Sequence, residues 1–191
     1  MLNWLLRKMA KLLFKLPENS SLRKAIRNNI LLPRIVSARI VEYPLVYRNL
    51  NLVKGSRILD VGCCYSLLSV ELASLGYDVY GIDLEEFSYK HSSLKFTRQD
   101  IRKTDFPDNF FDAIIAVSTI EHIGLGFSFA GLKAQKNATV NLNGDRKAVE
   151  EIMRILKPDG RLLITMPFGR WRIVTGSHRI YDSHHLAELL K

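Results

Sequence analysis

The chain has 191 residues, of which 47% are hydrophobic and 25% are charged, a composition that excludes wholesale disorder and suits a domain with a sizeable core. Its net charge is +9, yet residues 1–54 hold 11 basic and only 2 acidic side chains. Residues 55–191 hold 17 of each, so the sequence predicts a basic N-terminal segment followed by a neutral globular body.

The first helix is predicted over residues 1–16, where leucines and a methionine recur at steps of three and four with most basic residues on the other side. Such a basic amphipathic helix either packs on its own domain or makes peripheral contact with an anionic membrane surface, and the sequence leaves both open. A second helical stretch is expected from Ser21 to about Tyr47, with a bend at Pro33.

Neither a membrane-spanning helix nor a signal sequence fits the N-terminal segment, because Arg7, Lys8 and Lys11 interrupt its apolar residues. The two cysteines, Cys63 and Cys64, are adjacent, which argues against a disulfide framework and against a zinc site with spaced ligands. We therefore expect a cytoplasmic protein without a metal site, with peripheral membrane contact as an open alternative.

Beyond residue 54, short β-branched runs alternate with helical patterns, as is typical of a parallel sheet covered on both faces by helices. Strands are predicted at 57–61, 78–83, 94–99, 111–117 and 161–167. Helices are predicted at about Leu67–Leu75 and Arg146–Leu156, the latter beginning near Asn143 or Asp145, and an irregular link is expected from Glu85 to Ser93. The expected fold is a doubly wound, mostly parallel α/β sheet over residues 53–191, preceded by a basic amphipathic helical extension over residues 1–52.

A glycine turn and a later carboxylate mark the candidate ligand site. The first predicted strand ends in ILDVGCCYS, with Asp60 followed by Gly62. A glycine suits this turn because, without a Cβ, it adopts positive φ and lets a ligand approach the main chain. Asp83 ends the second strand 23 residues after Asp60, at the spacing where a carboxylate of a doubly wound fold accepts hydrogen bonds from both ribose hydroxyls. The alternative role for Asp83 is a helix cap.

Four segments in this order, ILDVGCCYS, VYGIDL, FPDNFFDAIIAVSTIEHI and LKPDGRLLITMP, resemble the class I S-adenosylmethionine-dependent methyltransferases over residues 53–168. The resemblance implies a Rossmann-like methyltransferase fold and S-adenosylmethionine as the cofactor. The cofactor-binding residues that it implies are Asp60, Gly62, Cys63, Cys64, Ser66, Asp83, Leu84, Asp100, Ile101 and Ser118. Among them Asp100 would meet the adenine amino group while Ile101 packs on the ring. The chain departs from the family at Cys64 and Ser66, which stand where two further glycines are usual.

The catalytic candidates follow the fourth predicted strand. Ser118, Thr119, Glu121 and His122 lie at the carboxyl edge of the sheet, where open α/β folds bind their ligands. His122 is the preferred candidate base, because an imidazole with an ordinary pKa near ~6.5 suits proton transfer at neutral pH. Glu121 is the second candidate, and a structural hydrogen bond is the alternative role for His122.

The resemblance predicts methyl transfer to an oxygen of a small-molecule or glycan acceptor. The segments EHIGLG, NGDRKAVEEI and SHRIYD are similar to a methyltransferase-like subgroup that includes proteins linked to surface-polysaccharide synthesis. The alternative function is a non-catalytic methyltransferase-like protein attached to a membrane surface or a complex through its basic N-terminal helices.

Two other functions are disfavoured by the motifs. In a nicotinamide-dependent oxidoreductase the pattern G-x-G-x-x-G would continue from Gly62, but Cys64 and Leu67 hold the other two positions. Nucleic acid is not favoured as a partner, because the basic residues before position 55 alternate with an apolar helix face and not with stacking aromatics. STIEHI also lacks the Asn or Asp, Pro, Pro, aromatic pattern of the methyltransferases that act on base amines.

The C-terminal segment is shorter than the resemblance implies, since the family normally adds a helix and two strands after the fifth strand and only residues 169–191 remain. The sheet is therefore expected to lack its last strands, with RWRIV as one short strand and Asp182–Leu190 as a helix. The side chains of this tail are expected to form a surface cluster, with an acceptor site as the alternative. They are His178, Arg179, Tyr181, His184 and His185.

Overall fold

The computed structural model describes residues 38–128, 133–134, 140–174 and 177–191. Contacts within the chain separate residues 1–42 from a compact unit of residues 43–191. This unit begins ahead of the boundary expected at residue 53, because Val46 and Leu50 are buried in its core. The helix predicted over residues 1–16 lies outside the described residues, as does most of the second predicted helical stretch.

The described residues form four α-helices and nine strands, and no α-helix separates the second to the sixth strand. In chain order they are α1 (Arg39–Leu50), β1 (Arg57–Val61), α2 (Leu68–Ser74), β2 (Asp78–Asp83), β3 (Leu94–Arg98), β4 (Phe111–Val117), β5 (Phe127–Ser128), β6 (Lys133–Ala134), α3 (Gly144–Ile155), β7 (Leu156–Thr165), β8 (Arg172–Val174), β9 (His178–Ile180) and α4 (Ser183–Leu189), with 3-10 turns at Cys63–Tyr65 and Ile120–His122. The link from residue 85 to residue 93 contains no helix, as expected.

Five strands form one parallel sheet in the order β3-β2-β1-β4-β7. The predicted doubly wound parallel sheet is therefore confirmed. Strand β7 begins earlier than predicted, because Leu156 already pairs with Phe111 ahead of a bulge, after which Arg161 pairs with Ala113. The predicted strand in RWRIV is present as β8, which pairs antiparallel with β9, a strand that the sequence analysis missed.

Both faces of the central strands β1 and β4 are buried, which explains their nearly continuous apolar runs, whereas the edge strand β3 is only partly buried. Successive residues of β4 alternate between the two layers. Ile114 packs in the layer that includes α3, whereas Ala113 and Ile115 pack in the layer that includes α1 and α2. Helix α3 begins after Asn143, one of the two predicted starts. None of the helices in the described residues combines the length and the hydrophobicity that a membrane crossing requires.

The packing of α3 on the sheet gives the first prediction. Ile152 is fully buried, whereas its neighbour Met153 is 56% exposed. Replacing Ile152 with Ala leaves a cavity beneath the sheet, so we expect Ile152→Ala to lower the free energy of unfolding by ~2–5 kcal/mol. The matched control Met153→Ala should change it by no more than about 0.5 kcal/mol. Urea denaturation followed by circular dichroism measures both, and equal losses would contradict the packing described here.

Candidate active site

The candidate site lies where the strand order reverses, between β1 and β4. In open α/β folds, ligands bind outside the carboxyl ends of the strands at such a point. Here the turn at Gly62 follows β1, Ser118 follows β4, and Asp83 ends the neighbouring strand β2. The parallel topology therefore brings three separate predicted segments to one edge of the sheet.

The turn after β1 is in direct contact with the loop after β4. Gly62 has a φ of 76°, and a Cβ built on it would lie 2.4 Å from Oγ1 of Thr119. That Oγ1 is itself 3.0 Å from the carbonyl oxygens of Val61 and Val117, so Thr119 joins the ends of the two strands. Both the backbone conformation and the lack of space require a glycine at position 62.

The carboxylate of Asp83 faces this turn. Its Oδ2 accepts a hydrogen bond from the backbone N–H of Cys64 at 3.0 Å, and its Oδ1 accepts one from the backbone N–H of Glu85 at 3.0 Å. Each carboxylate oxygen has two lone pairs, so these two bonds leave Asp83 able to accept from ligand hydroxyls as well. The donor and acceptor pattern of this edge fits a nucleoside.

The adjacent cysteines shape the turn and remain thiols. Cys63 is fully buried, and the half-buried Cys64 donates a hydrogen bond from Sγ to the carbonyl oxygen of Glu85 at 3.0 Å. Burial raises the pKa of both thiols, that of Cys64 to about 12. Ligand atoms of Cys63, Cys64 and Asp83 lie within 4.8 Å of one another, and Cys64 and Asp83 form hydrogen bonds within the turn. The cysteines therefore contribute to the packing and the hydrogen bonds of the turn.

Two of the predicted cofactor residues use their side chains to support the turn. Asp60 is only 3% exposed, and its Oδ2 accepts a 2.6 Å hydrogen bond from Oγ of Ser69 in α2. Oγ of Ser66 accepts from the backbone N–H of Leu68 at 3.0 Å and lies 2.7 Å from the hydroxyl of Tyr43 in α1. These bonds tie the turn to α1 and α2, so a ligand would meet its main chain first.

On the side predicted for adenine, Asp100 forms an ion pair with Arg102, whose Nη2 lies 2.5 Å from its Oδ2. Although partial burial opposes the effect, the hydrogen bonds from Arg102 hold the pKa of Asp100 below its ordinary value. Ile101 is 7% exposed and packs in the core, while Leu84 is 59% exposed. The exposed Leu84 is thus the better placed of the two to contact a ligand.

Ser118 stands in the left-handed conformation, with a φ of 47°. Its backbone N–H donates to the carbonyl oxygen and to Oγ1 of Thr165, both at 3.0 Å, so it joins the ends of β4 and β7. A residue with a side chain costs about 1–3 kcal/mol in this conformation, and such residues cluster at functional sites. The strain therefore marks the same edge of the sheet as the glycine turn.

Glu121 and His122 follow on the next turn, and both are largely buried, with side chains 2% and 20% exposed. Nδ1 of His122 lies 2.7 Å from the carbonyl oxygen of Ser177. Since a carbonyl only accepts, Nδ1 carries the hydrogen, and the neutral ring has its lone pair on Nε2. Nε2 lies 3.9 Å from Oε1 of Glu121. Burial is the largest cause that lowers the pKa of His122, so the neutral ring is favoured at pH 7.

The expectation of a surface cluster in the tail is wrong for Arg179 and Tyr181, each of which is only 1% exposed. The reason is a buried carboxylate in α3: Asp145 forms an ion pair with Arg179, 3.2 Å from its Nε, and accepts a hydrogen bond from the hydroxyl of Tyr181 at 2.7 Å. His184 is exposed, and His185 stacks on Trp171 with ring centroids 4.0 Å apart. The sequence analysis did not single out Asp145 except as a helix start.

Gly124 in the segment EHIGLG and Gly144 in the segment NGDRKAVEEI pack closely against each other. A Cβ on Gly124 would lie 2.2 Å from the carbonyl oxygen of Asn141, and a Cβ on Gly144 would lie 2.7 Å from Cα of Gly124. The loop after His122 therefore packs backbone against backbone on the start of α3. The two segments fix the position of the turn that carries Glu121 and His122.

Comparison with known proteins gives a family match for the part of the chain that contains these residues. Residues 59–164, more than half of the chain, match the family model described as a methyltransferase domain. The ubiquinone biosynthesis O-methyltransferase of Azorhizobium caulinodans is 28% identical over 138 residues, which cover 65% of this chain and 54% of that protein. Phosphoethanolamine N-methyltransferase 3 of Arabidopsis thaliana is 32% identical over 127 residues, which cover 61% of this chain and 22% of that protein.

Among solved structures, the phosphoethanolamine N-methyltransferase 2 of Haemonchus contortus in complex with S-adenosyl-L-methionine shares the fold. Its TM-score is 0.60 at 18% identity, and the match covers 92% of this chain and 44% of that one. The chain thus spans about half or less of the length of these relatives.

The contact between Gly62 and Thr119 gives a second prediction. Gly55 also has a positive φ, 83°, but a Cβ there would meet nothing within 4 Å. Gly55→Ala should therefore lower the free energy of unfolding by only ~1–3 kcal/mol, the cost of placing an alanine at a positive φ. Gly62→Ala adds a collision with Thr119 and should lower the free energy of unfolding by a further ~1–3 kcal/mol. Equilibrium unfolding of the two variants measures the difference, and an equal loss in both would show that the turn does not touch the loop.

Proposed function

Because the chain belongs to the methyltransferase domain family, we propose that it is an S-adenosylmethionine-dependent methyltransferase that acts on an oxygen of a small-molecule or glycan acceptor. The observation that carries this proposal is the carboxylate of Asp83, which ends β2 and faces the Gly62 turn at the point where the strand order reverses. A nucleoside cofactor needs such an acceptor for its ribose hydroxyls beside a main chain that it can approach closely.

Different residues of this edge would bind different parts of the cofactor. Asp83 would accept from the ribose hydroxyls, the exposed Leu84 would contact the adenine, and the main chain after Gly62 would lie along the rest of the nucleoside. Ser118, at the end of β4, would lie beside the methionine portion. When bound, S-adenosylmethionine supplies a methyl group on a positively charged sulfur. The protein's main task is then to align the acceptor with that group, which is catalysis by positioning.

An oxygen acceptor is favoured by the state of His122. Nε2 carries the lone pair of the neutral ring, so it would take the hydroxyl proton of the acceptor as the new bond to the methyl carbon forms. The carboxylate of Glu121, 3.9 Å from Nε2, would stabilise the imidazolium that results. General base catalysis of this kind contributes typically ~10²–10⁴-fold.

The names of the relatives support methyl transfer but differ in the acceptor atom. The protein of Azorhizobium caulinodans is named as an O-methyltransferase and that of Arabidopsis thaliana as an N-methyltransferase. The base His122 favours the first kind, since a hydroxyl must lose a proton. The proposed glycan acceptor and the proposed link to surface-polysaccharide synthesis rest on the segments EHIGLG, NGDRKAVEEI and SHRIYD. We also propose that the protein is cytoplasmic.

A second candidate function is a non-catalytic methyltransferase-like protein that binds a membrane surface or a complex through its basic N-terminal helices. Cys64 and Ser66 favour it, because they replace glycines that the family uses to approach the cofactor. The 11 basic residues before position 55 favour it too, through peripheral contact of residues 1–16. The two candidate functions differ in whether the folded protein binds the cofactor.

Calorimetry with S-adenosylhomocysteine tests this difference on the full chain. We expect binding by the wild type and a loss of about 10–100-fold in affinity for Asp83→Ala, since hydrogen bonds to a charged group contribute ~1.5–3 kcal/mol each. The matched control is Asp78→Ala, at the opposite end of the same strand, where Asp78 pairs with Lys95. This control should keep its affinity within about twofold.

If calorimetry of the folded wild type gives no heat with either S-adenosylmethionine or S-adenosylhomocysteine, the enzymatic proposal is contradicted. The non-catalytic methyltransferase-like protein is then favoured. An Asp83→Ala variant that binds as tightly as the wild type would contradict the assigned role of Asp83. Near-UV circular dichroism of each variant confirms that it is folded.

A further inference from the structure

We propose that Arg179 is a positioning residue: from the C-terminal hairpin of β8 and β9 it holds the turn Ile120–His122 so that His122 presents Nε2 to the acceptor. This inference rests on the proposed function, because it assigns the element that orients the proposed base. It concerns a segment beyond residues 59–164, which the family model does not cover.

The guanidinium of Arg179 binds the chain on both sides of His122. Its Nη1 lies 2.8 Å from the carbonyl oxygen of Ile123 and 3.3 Å from that of Glu121. Its Nη2 donates to the carbonyl oxygen of Leu142 at 2.9 Å, ahead of α3. A guanidinium offers five donors in a planar fork, so one side chain can hold the turn against the segment that leads into α3.

A buried arginine is costly unless its charge is paired, and here the partner lies in α3. Asp145, 3.2 Å from Nε of Arg179, provides the negative charge and also accepts the hydroxyl of Tyr181. Arg179 therefore has a carboxylate partner and three backbone carbonyl acceptors beside the turn. The hydrogen bonds of the network run from β9 to α3 and to the loop that follows β4.

The same hairpin also selects the proton-bearing nitrogen of His122. Ser177, two residues before Arg179, accepts from Nδ1 through its carbonyl oxygen at 2.7 Å. This bond leaves Nε2 to act as the base. The charged and titratable groups facing the ring are Glu121, His178 and Arg179, and the ring of His178 lies 6.0 Å away between centroids. Burial is the largest cause that lowers the pKa of His122, and the positive charge of Arg179 acts in the same direction, so the neutral ring is favoured.

Nitrogen-15 NMR of the full chain labelled at histidine tests the inference without a known acceptor. The His122→Gln variant identifies the His122 signals among the five histidines. We expect neutral His122 to carry its proton on Nδ1 and to have a pKa below the ordinary value near ~6.5. A wild-type His122 with its proton on Nε2 would overturn the inference.

The variant Arg179→Lys keeps the charge but loses the fork that joins the two carbonyls. We expect a mixture of the two His122 tautomers, while the affinity for S-adenosylhomocysteine stays within about twofold of the wild type. The matched control is Arg146→Lys: Arg146 neighbours Asp145 but is 55% exposed and lies near Glu188. This control should keep the wild-type tautomer, and a folded Arg179→Lys variant that also keeps it would overturn the inference.

If Arg179→Lys does not fold, hydrogen exchange measured on the wild type tests the inference instead. The Nε–H of a buried, bonded Arg179 should exchange with water at least about tenfold more slowly than that of Arg146, and equal exchange would overturn the inference. The tautomer and hydrogen-exchange measurements do not depend on cofactor binding. A wild type that binds no cofactor would end the proposed function but leave the tautomer result unchanged, so the two failures are distinguishable.

Discussion

One carboxylate fixes the geometry of the candidate site. Asp83 accepts one backbone N–H from Cys64, in the turn after β1, and another from Glu85, just after its own strand. Hydrogen bonds to a charged group are stronger than neutral ones, contributing ~1.5–3 kcal/mol each, so the ends of β1 and β2 are held together firmly. On the other side of the turn, Gly62 meets Thr119 closely enough to exclude a Cβ. The turn is thereby positioned from both sides, and a nucleoside-binding edge depends on that position.

The acceptor side of the site depends on a different interaction. The turn that carries His122 is held by a buried arginine and by a carbonyl of the C-terminal hairpin, and the charge of that arginine is balanced by Asp145 in α3. A buried network of hydrogen bonds and ion pairs of this kind rigidifies the groups that it joins. The cofactor edge is held by β1, β2 and β4, whereas α3 and the tail hold the turn that carries the proposed base. The two meet in the loop after β4, where Thr119 directly precedes the turn Ile120–His122.

The sheet could be predicted from the sequence because its signal is local. The apolar run of β4 and the fixed spacing between Asp60 and Asp83 need no knowledge of distant residues, and parallel topology then places the strand ends on one edge. The orientation of individual side chains depends on contacts with other elements, so it could not be predicted. Asp60 accepts a hydrogen bond from Ser69 in α2, and Ile101 packs in the core. The burial of Arg179 could not be predicted, because its partners lie 34 to 58 residues away along the chain and a local periodicity does not indicate such pairing.

The most direct test of the account is a crystal structure of the full chain with S-adenosylhomocysteine. The account predicts the nucleoside at the carboxyl ends of β1 and β2, with both ribose hydroxyls within about 2.6–3.2 Å of the carboxylate oxygens of Asp83. A nucleoside bound elsewhere on the protein, or one whose ribose does not contact Asp83, would contradict it.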